Sequence, residues 1–236
     1  MRLNLYLSSS GICSRRKADE IILSGRVKVN DKIVLAPYFR VNEDGNIDRI
    51  FLDGKQIFHD LKLLYYIMNK PRGYVCAVSD KYYPVIIELL PEEARNLRVF
   101  PVGRLDKDSE GLLILTNDGN FAQSIIHPSK KISREYEVLL NLPVNDKHLS
   151  RLREGFNIDE KFIKPLKVLK ISDNALKIVL SEGIKREIRL MLREIGLRVE
   201  KLTRVKIGGL ELGNLNSGEF KSLSFSSLCN KIFSSR

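Results

Sequence analysis

An α+β fold is predicted: a small helix–helix–hairpin unit over residues 1–60, then a mixed, mainly antiparallel β-sheet with flanking helices over residues 61–236. Three observations predict it. Helical spacing of apolar residues fills two short stretches before residue 25, β-rich apolar runs separated by turn residues begin at about Leu61, and few long helical patterns lie between those runs. A doubly wound parallel sheet needs a crossover helix between successive strands, and this sequence has too few.

In "RLNLYLSSSG" the residues Leu3, Tyr6 and Leu7 share one helical face, and Gly11 stops the helix. "SRRKADEIILSG" opens on Ser14, a good N-cap, carries Ala18, Ile21 and Ile22 on one face, and ends at Gly25. "RVKVNDKIV" alternates at Val27 and Val29, turns at Asn30-Asp31 and returns through Ile33 and Val34, a hairpin pattern.

Beyond residue 60, "LLYYIMNKPRGYVCAV" reads as two β-rich runs around a turn at Pro71-Arg72-Gly73. "LRVFPV" and "GLLILTNDG" read as strands flanking an acidic turn, with Asp118-Gly119 a surface turn closing the second. "REYEVLL", "KPLKVLKI" and "ALKIVL" add strands, the last two joined at Ser172-Asp173-Asn174. One clear helix stands near the end: in "KREIRLMLREIG", Ile188, Met191, Leu192 and Ile195 make the buried stripe, Arg186, Arg189 and Arg193 another face, and Gly196 the cap.

Composition narrows the setting. Among 236 residues, 40 Lys+Arg against 29 Asp+Glu leave a net charge of +11, which favours a polyanionic partner such as nucleic acid. There is no membrane-length apolar run and no signal-like start, so a soluble cytoplasmic protein is expected. Cys13, Cys76 and Cys229 form no CxxC pair and are expected to be reduced structural thiols. His59, His127 and His148 have no ligand spacing, and no metal site is expected.

Arg15, Arg16 and Lys17 stand on the first turn of the second helix, where free N–H groups and the helix dipole already favour an anion. Cations placed there oppose the dipole, and an external phosphate relieves the conflict. The stretch from Arg2 to Val34 resembles the S4 RNA-binding domain, with its helix, serine-arginine-arginine helix start and glycine-arginine-valine-x-valine-asparagine strand. That resemblance implies docking on structured RNA through Ser14, Arg15, Arg16 and Lys17, read through shape and phosphates.

"GRLDKDSEGLLILTNDG" sets Asp106, Asp108 and Glu110 in one turn before an apolar run. A glycosidase pair needs two carboxyls on opposite sides of a sugar bond, which neighbours on one turn suit poorly. A calcium loop lacks its remaining oxygen ligands. A solvated surface turn stays open for the acids, less so for Asp106, because Leu105 and the Leu112–Leu115 run hold the turn against the core, where a carboxylate needs a cation.

The same stretch closely resembles the catalytic motif of pseudouridine synthases, and its wording is nearest to the RsuA-type ribosomal RNA branch, which also begins with an S4 domain. "MNKPRGYVCAVSD", "ISREYEVLL" and the basic segment from Glu182 to Leu223 follow in that family's order. Serine at 109 replaces a commoner threonine, glutamate at 187 a commoner glutamine, and Lys221 a typical arginine. The resemblance implies isomerisation of a specific uridine in ribosomal RNA, free or in a ribosomal subunit assembly intermediate, without metal or organic cofactor; a monomer is the default expectation. It implies Asp106 as the single catalytic residue, acting on a flipped base by attack or by proton removal from the ribose. It also implies Arg189 as the partner that keeps Asp106 ionised, Tyr136 as a ring stacking on the base, and Arg104 as a holder of the flipped RNA. A non-catalytic S4 protein bound to ribosomes is the alternative, and it leaves the Asp106 turn without a purpose; a glycosidase acting on free sugars leaves the first 60 residues without one.

Overall fold

The computed structural model describes residues 1–42, 48–60, 62–158, 160–181 and 186–233. Residue 61, where the sequence divides, and residues 182–185, which open the closing basic motif, lie outside them.

The N-terminal part holds α1 (Leu3–Ser9), α2 (Arg15–Leu23), β1 (Val27–Val29), β2 (Lys32–Ile33), β3 (Ile50–Leu52) and β4 (Lys55–Ile57). The Ser14 side chain accepts from the Lys17 N–H and starts α2. Asn30 and Asp31 both have positive φ, 47° and 70°, the geometry of a tight turn between right-twisted strands. A second hairpin, absent from the sequence reading, turns at Asp53-Gly54 with φ 50° and 78° and completes a four-stranded sheet in the order β2-β1-β3-β4. Its strands are three residues each, too short for alternation to register. Leu3, Leu7, Ile22, Val27 and Ile50 form a buried core of their own against this sheet.

The rest of the chain runs β5 (Tyr65–Lys70), α3 (Glu92–Asn96), β6 (Phe100–Val102), β7 (Glu110–Thr116), α4 (Gly119–Ile126), β8 (Arg134–Leu140), α5 (Asp146–Glu154), β9 (Phe156–Ile158), β10 (Lys161–Ile163), β11 (Lys167–Ser172), β12 (Ala175–Leu180), α6 (Glu187–Glu194), β13 (Val199–Ile207), β14 (Leu210–Glu211), β15 (Phe220–Ser222) and α7 (Phe225–Phe233). A nine-stranded sheet has the order β11-β12-β8-β13-β7-β5-β15, with β14 on β13 and β6 on β7. All its pairings are antiparallel except β13 with β7. The expected mixed, mainly antiparallel sheet is therefore present.

Three local expectations change. Tyr74–Val78 is not a strand, because its one pairing is an isolated bridge from Val75 to Val85. Asp118-Gly119 is not a solvated surface turn: Asp118 caps α4, accepting from the N–H groups of Asn120 and Phe121 at 3.0 Å each, and takes the Tyr65 hydroxyl at 2.8 Å. Helices α3, α4, α5 and α7 also join α6, the one helix expected in this part.

Strand β7 positions everything that follows. From Gly111 to Thr116 it is buried, clamped by β5 on one side and β13 on the other. Gly111, at φ +109°, lies opposite Arg204 in the parallel pairing, and a Cβ there would stand 2.3 Å from the Arg204 carbonyl oxygen. Only glycine fits that approach.

Candidate active site

The acidic turn hangs from the start of β7. The Ser109 N–H closes it on the Asp106 carbonyl at 3.0 Å, and the Gly73 N–H ties the Lys107 carbonyl at 2.8 Å. Beneath it sits Lys70, fully buried at the end of β5, whose Nζ donates to the carbonyls of Ser109 (2.7 Å) and Pro71 (3.0 Å). Burial pushes the Lys70 ammonium below its ordinary value, while Cys76, Asp108, Asp106 and Glu110 oppose the shift. The turn is thus held by a buried cation that bonds its backbone rather than its carboxylates.

Each carboxylate goes a different way. Asp108 pairs with Arg189 of α6 at 3.0 Å and with Arg186 at 3.7 Å; Arg189 also donates to the Asp108 carbonyl at 3.3 Å. Glu110 pairs with Lys201 at 2.8 Å and accepts from the Thr203 hydroxyl at 3.0 Å, both on β13. Asp106 forms no ion pair among the described residues. The expected Arg189–Asp106 pair is therefore corrected: Arg189 holds Asp108, two residues further along the turn and on the side facing α6. Burial lowers the Arg189 pKa; Asp108 is the nearest charge opposing that shift, and Asp106 acts more weakly.

Asp106, half-buried, lines a cavity of about 650 Å³. Arg104 and Tyr136 line it too, so the structure brings together three of the four candidate active-site residues and leaves Arg189 behind the turn. Arg104 is exposed at the rim, whereas Tyr136 is 7% exposed on β8. Ser14, Arg15, Arg16 and Lys17 lie on α2, outside the residues that line the cavity, and all four are exposed. Lys17 pairs with Glu20 at 2.8 Å, an exposed pair that contributes little to stability.

The sequence reading missed Arg134, Glu187 and Arg204 as cavity-lining groups. Arg204 is 2% exposed and Glu187 5%. For Arg204 a signal existed, since it shares a strand face with buried Leu202, but a lone arginine in a basic strand reads as solvated until the partner strand is known. His127, given no role, also lines the cavity, its ring bonded to Ser129. Among the described residues no group of three or more His, Cys, Asp or Glu is arranged to hold a metal ion, and no helix is long and apolar enough to cross a membrane.

Comparison with known proteins shows the family. A family model described as RNA pseudouridylate synthase matches residues 64–194, and one described as S4 domain matches residues 1–47. An uncharacterised RNA pseudouridine synthase of Aquifex aeolicus is 37% identical over 213 residues, covering 90% of this chain and 87% of the relative. A chloroplast protein of Arabidopsis thaliana, provisionally named a ribosomal large subunit pseudouridine synthase, is 35% identical over 228 residues, covering 89% of this chain and 55% of its own. A crystal structure of a pseudouridylate synthase matches with a TM-score of 0.71 at 28% identity, covering 98% of this chain and 99% of that one. The chain therefore belongs to the RNA pseudouridine synthase family of isomerases and carries an S4 domain at its N-terminal end.

Proposed function

We propose that this enzyme isomerises a specific uridine of ribosomal RNA to pseudouridine in the cytoplasm, as a monomer, with residues 1–60 docking on the RNA and residues 61–236 doing the chemistry. One observation supports the site assignment: among the described residues, Asp106 is the carboxylate of the turn that pairs with no cation, and it lines the cavity. A uridine stacked in a helix cannot reach a half-buried carboxylate, so the base must leave the stack and enter the cavity. Tyr136 then stacks on it, and Arg104 at the rim holds the extruded strand. Arg189 acts through Asp108, fixing the turn from behind. The reaction gains and loses no atoms or electrons overall, and so consumes no oxidant, reductant or group donor.

The name of the Arabidopsis relative supports ribosomal RNA as the substrate class. The direct test is ribosomal RNA labelled with tritium at uracil C5, given free and as subunit assembly intermediates. The wild-type protein is expected to release tritium from one of them, because C5 exchanges its hydrogen for the new glycosidic bond. Release from neither subunit's RNA in either form would overturn the reading.

Docking through α2 has its own test. Arg15 and Arg16 are exposed and have no acid partner among the described residues, so each is free to neutralise a phosphate. Arg15→Glu with Arg16→Glu is expected to weaken RNA binding and to reduce the slope of log affinity against log salt by about two. An unchanged slope would remove α2 from the RNA contact.

A further inference from the structure

We propose that Arg204 binds the target base through one of its carbonyl oxygens and carries the negative charge the base acquires when it leaves the ribose. This rests on the reading of the cavity as the site of uridine isomerisation. Arg204 is 2% exposed. Its Nε donates to the Leu112 carbonyl at 2.7 Å and its Nη1 to the Arg104 carbonyl at 3.5 Å, while the buried Nη2 has no hydrogen-bond partner among the described residues. No acid pairs with it among the described residues. The guanidinium is thus clamped between β7 and the residue that begins the catalytic turn, by neutral groups alone. A buried cation without a counter-charge and a buried N–H without an acceptor are both costly, and both are explained where a ligand supplies what is missing.

The placement says which ligand oxygen. Arg204 on β13 is the direct cross-strand partner of Tyr136 on β8, and both line the cavity with Asp106. Opposed side chains in an antiparallel pair have Cβ atoms about 4.5–5.5 Å apart. A base stacked on the Tyr136 ring therefore presents its edge to the guanidinium. The exposed cations Arg104, Lys107 and Arg186 stand at the rim, within reach of phosphates, whereas only an extruded base extends down to Arg204. Nearby Arg134 adds to the positive field: burial, then the Arg204 charge, pushes its pKa down. Its own charge faces buried Glu187.

The chemistry needs a cation at this point by either route. When the C1′–N1 bond breaks, its electron pair stays on N1 and spreads to O2 and O4, leaving a uracil anion. Asp106 has either formed an ester bond to C1′ or taken the C2′ proton, leaving a C1′–C2′ double bond. The anion then attacks C1′ through C5. The ester bond breaks, or the C2′ proton returns from Asp106; C5 loses its proton to solvent and N1 gains one. In both routes the intermediate base bears one full negative charge beside Arg204.

The test uses the full-length protein under single-turnover conditions and the ribosomal RNA fragment containing the tritium-releasing uridine. That position carries uridine, 2-thiouridine or 4-thiouridine, or uridine with a methylphosphonate at its flanking linkage. Arg204→Met, which keeps most of the side chain's packing, is expected to slow conversion by about 10²–10³-fold, the usual effect of removing one donor to developing charge. RNA affinity is expected to change by less than about threefold. One thio substitution is expected to slow the wild type but to cost the Met variant nothing further, because sulfur is the weaker acceptor. If Arg204→Met converts uridine at the wild-type rate, or if its loss is additive with both thio substitutions, the proposal fails. Coupling to the methylphosphonate alone would assign Arg204 to a phosphate and equally overturn it. Should Arg204→Met not fold, Arg204→Gln, which removes the charge but keeps a polar side chain, is put through the same substrates with the same criteria. A wild type that releases no tritium is instead a failure of the functional reading, distinct from these outcomes.

Discussion

Asp106→Asn is expected to abolish tritium release from C5-labelled ribosomal RNA, with a rate loss of at least about 10³-fold, while the protein keeps its affinity for RNA and its thermal midpoint. A positioned general base contributes about 10²–10⁴-fold, and loss of a nucleophile costs more still. The neighbouring acids cannot substitute, because Asp108 is held by Arg189 and Arg186 and Glu110 by Lys201 and Thr203. Stability is expected to be unaffected because Asp106 has no ion pair to lose among the described residues. Asp108→Asn is expected to behave in the opposite sense: it frees Arg189, 13% exposed at its side chain, and so loosens the turn and lowers the thermal midpoint while retaining part of the activity. Rate measurements beside thermal melts separate the two. An Asp106→Asn protein that still turns over would remove the residue from the chemistry.

Gly111→Ala carries the largest expected effect on the fold. The added Cβ meets the Arg204 carbonyl oxygen at 2.3 Å, its nitrogen at 2.6 Å and its carbonyl carbon at 2.9 Å, all backbone atoms that no rotamer change relieves. The φ of +109° adds strain for any L side chain. Overpacking costs about 1–3 kcal/mol and the backbone conformation about 1–3 more, a large share of a typical stability of about 5–15 kcal/mol. The midpoint is expected to fall by roughly 10 °C or more, with faster amide exchange along β7 and β13. A variant that melts with the wild type would show that β13 can draw away from β7 without cost.

Much of the fold was legible because its signals were local. Ser14 capped α2, Asn30-Asp31 took positive φ, and the apolar runs became β5, β7, β8, β11 and β12. Other elements depended on partners the sequence does not name. Tyr74–Val78 has β-formers but no strand beside it, and Asp118-Gly119 looks like a turn until Tyr65 and the N–H groups of α4 converge on the carboxylate. At the site, the motif singled out Asp106, and the cavity gathered Arg104 and Tyr136 to it. The partner of Arg189 and the burial of Arg204 were hidden because both depend on register: which acid of the turn faces α6, and which residue of β13 lies opposite Tyr136.

The clamps on the acidic turn come from far along the chain. Lys70 reaches Ser109 across 39 positions, Arg189 reaches Asp108 across 81, and Thr203 reaches Glu110 across 93. The S4 domain, by contrast, closes its core within the first 57 residues. During synthesis the N-terminal part can therefore fold long before β13 leaves the ribosome, while the turn bearing Asp106 stays unanchored until that strand arrives. A nascent chain of this protein acquires the means to hold RNA well ahead of the means to alter it.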